Sequence, residues 1–174
     1  RCALSKLLNL RRCSSISGVA NNIGRLKVAG VCNNDILYFY CIKIRSVLES
    51  SCPIFQPMLT QQNREDLERV QKIAFKIILS DSYISYENSC IILVMDTLEE
   101  RRKKICLRFA LKCLKHERLS GLFKLNTPSN NNLRKPEKPD KFKVPYANTS
   151  RYMRSPVPYL TCLLNEYFSS SIQS

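Results

Sequence analysis

Apolar positions recur every three or four residues along most of the chain, and no stretch alternates apolar with polar for long enough to make a strand. The pattern predicts an all-α fold. Its parts are a partial helical segment over residues 1–33, a small helical bundle over 34–123, a flexible basic linker over 124–150 and a short amphipathic terminal segment over 151–174. Residues 3–13 read as a short leucine-rich basic helix, which Ser14, Ser15, Gly18 and the Asn21–Asn22 pair interrupt. A further short helix from Ile23 stops at Gly30, a suitable left-handed terminator.

The bundle is better marked. Asn34 or Asp35 is placed to cap a helix reaching about Ser50, with Ile36, Leu37, Tyr40, Ile44, Val47 and Leu48 on its apolar face. Pro53 and Pro57 predict a loop or extended crossover. A second helix begins at Thr60 or Asn63 and ends at Leu79. Leu67, Val70, Ala74, Ile77 and Ile78 form its apolar stripe, and Arg64, Glu65, Glu68, Arg69 and Lys72 its wet side. A shorter helix starts near Tyr86. Thr97 followed three residues later by Glu100 is a capping box for another helix, and Glu99 with Glu100 suits the positive end of its dipole. Leu98, Ile105, Phe109 and Cys113 are its expected buried face, and Gly121 its end. The expected core is therefore Leu37, Ile44, Leu48, Leu67, Val70, Ala74, Ile77, Ile105 and Phe109. After Phe123 an Asn-, Pro- and Lys-rich stretch predicts an irregular tail, and residues 158–168 a short docked helix.

Charge narrows the partners. Lys and Arg number 28 against 14 for Asp and Glu, a net +14, which favours polyanions, with nucleic acid ahead of anionic lipid. The length of 174 residues suits one ordinary domain. No apolar run approaches the roughly 18 residues that cross a bilayer. The opening Arg1 and the short apolar stretch behind it predict the cut edge of a longer product rather than a secretory signal.

The chemistry of common active sites is missing from the pattern. Nine cysteines contain no CxxC pair, and His116 is the single histidine, so neither a metal site nor a disulfide framework is expected. Cys106 and Cys113, seven apart, fall on one helix face as small hydrophobes. The acidic residues are dispersed on helix exteriors beside basic neighbours, whereas a polymerase or nuclease needs carboxylates converging on Mg²⁺. The stretch GVANNIG lacks the Lys-Ser/Thr of a phosphate loop, and His116 at a basic helix end complements the dipole. No catalytic residue and no cofactor is expected.

One family likeness spans most of residues 26–166. Arg45, Ser46, Leu48 and Glu49, then Cys52 and Pro53, then Leu67, Glu68, Gln71, Lys72 and Ala74 follow one another in order. This order and spacing resemble the region after the catalytic domain in non-LTR, LINE-type (jockey-like) retrotransposon reverse transcriptases. The stretches SYISYENS, DTLEERRKKICLRFALKCLK and TSRYMRSPVPYLTCLLNE continue the likeness. Ser50 and Phe55 stand where the family tends to have an aromatic residue and Trp, and Ser89-Cys90 where it has Ala-Leu. The resemblance implies a helical, thumb-like, non-catalytic fragment of an RNA-directed DNA polymerase, whose palm and endonuclease would lie upstream.

Such a segment would grip RNA or DNA by its backbone. The candidate contacts are Arg101, Arg102, Lys103 and Lys104 with Arg108, Lys112 and Lys115 on one helix, and Arg134, Lys135 and Lys138 with Lys141 and Lys143 on a flexible arm. Charges that merely solubilise a helix opposite its buried face are the alternative. The alternative function is an independent helical protein-interaction module that docks a partner through residues 156–168.

Overall fold

The computed structural model describes residues 14–126, 141–146 and 148–170. They are all-α, and among them the only β-type pairing is an isolated antiparallel bridge between Leu125 and Phe142. The expected helix over residues 3–13 lies outside the described residues. The chain divides into two compact units, one formed by the described residues up to Cys52 with Leu59–Arg102, the other by Pro53–Met58 with the described residues from Lys103 onward. The division falls inside a helix that the sequence assigned wholly to one bundle.

The first unit starts with α1 (Ser14–Val28). Ser14, Ser15 and Gly18, expected to interrupt the chain, are helical instead. Local turn preference yields to packing, because Ile23 of α1 is fully buried and belongs to the core. Residues 14–32 are thus part of the first unit. Gly30 ends the element in the left-handed region (φ 78°), and the Val31 and Gly30 amides bond back to Leu26 and Lys27, the Schellman arrangement. The Lys27 ammonium then donates to the Ile78 carbonyl at 2.8 Å, joining α1 to the end of a later helix.

The next helix begins at Asn33, one residue before the expected cap. The Cys32 sulfur accepts from the Asp35 amide in place of the usual hydroxyl or carboxylate. It runs through α2 (Asn33–Phe39), a π-helical stretch (Tyr40–Arg45) and α3 (Ser46–Glu49). Ile36, Tyr40, Ile44 and Leu48 are its buried residues, an unbroken four-residue repeat. In a regular α-helix each four-residue step overshoots a full turn by about 40°, so the line would drift off the core. The wider π turn in the middle brings it back. Leu37 is therefore only half-buried and Val47 is exposed, where the sequence placed both on the apolar face.

The crossover is helical, not extended: α4 (Cys52–Phe55) is followed by a 3-10 turn over Gln56–Met58. Pro53 is tolerated because it falls in a first turn, where its missing N–H leaves no bond unmade. Helix α5 (Gln61–Leu79) starts at its expected cap, with the Thr60 hydroxyl accepting from Asn63. Leu67, Val70, Ala74, Phe75 and Ile78 bury its stripe beside α1, and Ile77 sits at the margin. Helix α6 (Tyr86–Ile92), capped by Ser85, packs beside α5.

A buried polar chain crosses this core. Tyr40 donates to the Gln71 side chain at 2.8 Å; Gln71 donates to the Tyr86 hydroxyl at 3.0 Å and to the Asp96 carbonyl at 3.1 Å; Tyr86 donates to Glu68. Burial pushes the Tyr40 phenol far above its ordinary range, and burial together with the bond to Glu68 does the same to Tyr86.

In the second unit, α8 (Glu117–Ser120) follows a break at His116, five residues before the Gly121 end that the sequence suggested. The tail expected to be irregular is pinned where it is described. Lys143 and Asn126 form the two amide bonds of the Leu125 bridge, Phe142 is buried, and the Asn165 side chain both accepts from and donates to the Phe142 backbone at 2.9 Å. Asn165 belongs to α10 (Pro156–Ser170), which follows the short α9 (Ser150–Met153). Leu160, Leu163 and Leu164 of α10 are buried.

Candidate nucleic-acid interface

Helix α7 (Leu98–Lys115) carries most of the candidate cations, and its start is fixed from two sides. The Thr97 hydroxyl accepts from the Glu100 amide at 3.3 Å, as the capping sequence implied. Glu68, expected on the wet side of α5, instead accepts from the Leu98 and Glu99 amides at 3.1 and 3.2 Å. A carboxylate on two orphan N–H groups at the positive end of the dipole is a strong anchor.

The buried line of α7 is Leu98, Arg102, Cys106, Ala110 and Cys113. This corrects the expected face. Ile105 is half-buried and Phe109 is 41% exposed, because the line runs one position C-terminal to them, through smaller side chains.

That rotation sorts the cations. Arg102, a candidate contact, is 5% exposed and unavailable to a phosphate, and its backbone carbonyl accepts from the Cys52 thiol. Arg101 is held through Nε by Glu49, which also pairs with Arg45 at 3.4 Å. Both residues serve the first unit, so neither stands with the expected basic cluster. Lys103, exposed, lies 3.5 Å from Glu166.

Lys104, Arg108, Lys112 and Lys115 remain, all exposed and spaced by four, four and three residues along one side. They span about 16 Å of helix, while phosphates recur about every 3.4 Å of axis on one strand of a duplex. Between residues 103 and 115 there is no acidic side chain, and Arg108, Lys112 and Lys115 have no ion pair or hydrogen bond from their side chains among the described residues. The candidates Arg134, Lys135 and Lys138 lie outside the described residues. Lys141, assigned to the same arm, places its ammonium 3.8 Å from the centre of the Phe168 ring, a cation–π contact.

Among the described residues no group of three or more His, Cys, Asp or Glu side chains could hold a metal ion, and no helix is long and apolar enough to cross a membrane. None of the seven described cysteines is in a disulfide among the described residues, and burial pushes the Cys90 and Cys113 thiols up. Sequence reasoning missed Glu49 and Glu68. The four-residue spacing of Arg45 and Glu49 was a legible signal for one; nothing local announces that Glu68 reaches α7. No family model, curated protein or solved structure matches the chain.

Proposed function

We propose that this chain is a non-catalytic, thumb-like helical part of a non-LTR-type RNA-directed DNA polymerase, holding RNA or DNA by its backbone without reading sequence. The observation that carries the reading is the line of Arg108, Lys112 and Lys115 with Lys104, exposed on one side of α7 in a stretch free of acidic residues. Long flexible cations on a rigid helix can meet phosphates without reading base edges, which suits a surface that must slide over any template.

The likeness to the retrotransposon enzymes supports the same reading from another side. Its polar positions Arg45, Glu49, Glu68 and Gln71 are those that tie the helices of the first unit together. They would be retained as architecture, leaving contact with nucleic acid to the exposed cations.

The test is an anisotropy titration of the full chain with labelled single- and double-stranded RNA and DNA of scrambled sequence. Affinities should agree within about threefold across sequences, and log K should fall against log[salt] with a slope of about −3 to −4 if the four cations each meet a phosphate. A marked preference for one sequence, or binding insensitive to salt, would contradict the reading. With primer, template, nucleotides and Mg²⁺ the chain should incorporate nothing.

A further inference from the structure

The first unit contains a pocket of about 370 Å³ lined by Arg45, Cys90, Ile91, Val94, Met95, Asp96 and Arg101. Two local features around it run against ordinary backbone preference. Arg45 closes the π-helical stretch, and π turns inside α-helices are frequent at functional sites. Val94 stands in the left-handed region (φ 53°), where a β-branched residue is a true outlier.

The setting makes Val94 more telling. The Met95 amide bonds to the Cys90 carbonyl at 2.8 Å and the Val94 amide to Ile91 at 3.1 Å, so α6 ends in the same Schellman motif that closes α1. There the left-handed position is Gly30; here it is a valine that is 90% exposed and gains nothing from burial. Strain of this kind, uncompensated by packing, points to a use at the surface.

The polar side of the pocket is a pair of guanidinium groups. Arg101 reaches Glu49 through Nε, which leaves its two terminal nitrogens without a partner among the described residues. Arg45 also turns Nε toward Glu49, and its Nη1 donates to the Met95 thioether, a weak acceptor that an anion would displace. The lining carries these two positive charges and the negative charge of Asp96, with Glu49 behind both guanidinium groups; what the pocket offers an anion is therefore the terminal nitrogens of the guanidinium forks rather than a net charge.

We propose that this pocket binds a small ligand that joins one oxyanion, carboxylate or phosphate, to an apolar body. The fork of Arg101 takes the oxyanion in bidentate fashion, with Arg45 beside it. Ile91, Val94 and Met95 cover the apolar part, and the volume is at the small end of ligand sites. The site shares no residue with the exposed cations of α7.

Calorimetric titration of the full chain with hexyl phosphate, hexanoate, inorganic phosphate and 1-hexanol tests the proposal. Hexyl phosphate or hexanoate should bind at least about tenfold more tightly than inorganic phosphate, and hexanol should not bind measurably; whichever of the two wins names the oxyanion. Arg101→Lys keeps the charge on Glu49 but loses the fork, and should weaken binding about five- to tenfold. Val94→Gly should preserve or raise the melting temperature while weakening the alkyl ligands towards inorganic phosphate. The triple variant Arg108→Ala/Lys112→Ala/Lys115→Ala should bind them as the parent does. Equal affinity for alkyl and inorganic phosphate, hexanol binding as well as hexyl phosphate, or loss of affinity in the triple variant would each overturn the site.

Discussion

Arg101 and Arg102 precede Lys103 and Lys104 directly, and the four read as a single basic run, yet the two arginines and the later cations of α7 have different fates. Arg102 is buried and Arg101 is drawn onto Glu49, while Arg108, Lys112 and Lys115 stay exposed with no counter-ion among the described residues. The difference follows from what each reaches. The first turns of α7 are anchored by Glu68 and Thr97 and lie beside Glu49, so Arg101 finds a carboxylate, while Arg102 falls on the buried line of the helix. Further along, no acidic side chain occurs between residues 103 and 115. A run of positive charge is therefore no measure of a binding surface; the local supply of carboxylates decides how much of it is left for a ligand.

Truncating one cation from each group should give the largest difference. Arg102→Ala removes a buried stem and should cost about 2–4 kcal/mol in urea denaturation, whereas Lys112→Ala should stay within about 0.5 kcal/mol. Similar losses for both would erase the distinction.

Next in size is the anchor. Glu68→Ala leaves the Leu98 and Glu99 amides and the Tyr86 hydroxyl without their acceptor, and should cost about 1–3 kcal/mol. Amide exchange at Leu98 and Glu99 should quicken in the variant while Lys112 and Lys115 keep their protection. Uniform quickening along α7 would mean that Glu68 holds the whole domain rather than the helix start.

The same network predicts a pH dependence. Tyr40 and Tyr86 both ionise less readily folded than unfolded, because burial disfavours their phenolates. The stability they contribute is complete below the ordinary tyrosine pKa of about 10 and is lost as pH rises above it. Thermal melts between neutral and strongly alkaline pH should therefore show a fall that Tyr40→Phe and Tyr86→Phe each reduce. An unchanged fall in both variants would place the alkaline loss elsewhere, for example in the lysines.

The smallest effect separates the expected core from the observed one. Phe109→Ala should cost no more than about 1 kcal/mol, since the ring is 41% exposed and off the buried line, while Ala110→Leu should cost about 1–3 kcal/mol by overfilling that line. The reverse order would restore the face read from the sequence.

That face shows what was legible and what was not. Helix starts at Thr60, Ser85 and Thr97, and the stripe of Leu67, Val70 and Ala74, follow from local chemistry that the sequence displays. The face of α7 was misjudged because an arginine at position 102 counts as wet in any apolar pattern, which pushes the inferred stripe onto Ile105 and Phe109. Gln71 was missed for the same reason: its place in the core depends on Tyr40 and Tyr86, which are 31 and 15 residues away. The π turn was invisible because each residue in it also suits a regular helix. As for the interface, the candidate cations could be named from the sequence, but their partners in Glu49 and Glu166 come only from the fold.

Under the proposed function it is the exposed line on α7, not the full basic run, that meets nucleic acid. Anisotropy of one labelled duplex across a salt series, parent chain against Arg108→Ala/Lys112→Ala/Lys115→Ala, measures it most directly. The variant should bind more weakly, with a slope of log K against log[salt] shallower by about 2 to 3 and the melting temperature unchanged. Identical slopes for parent and variant would contradict it.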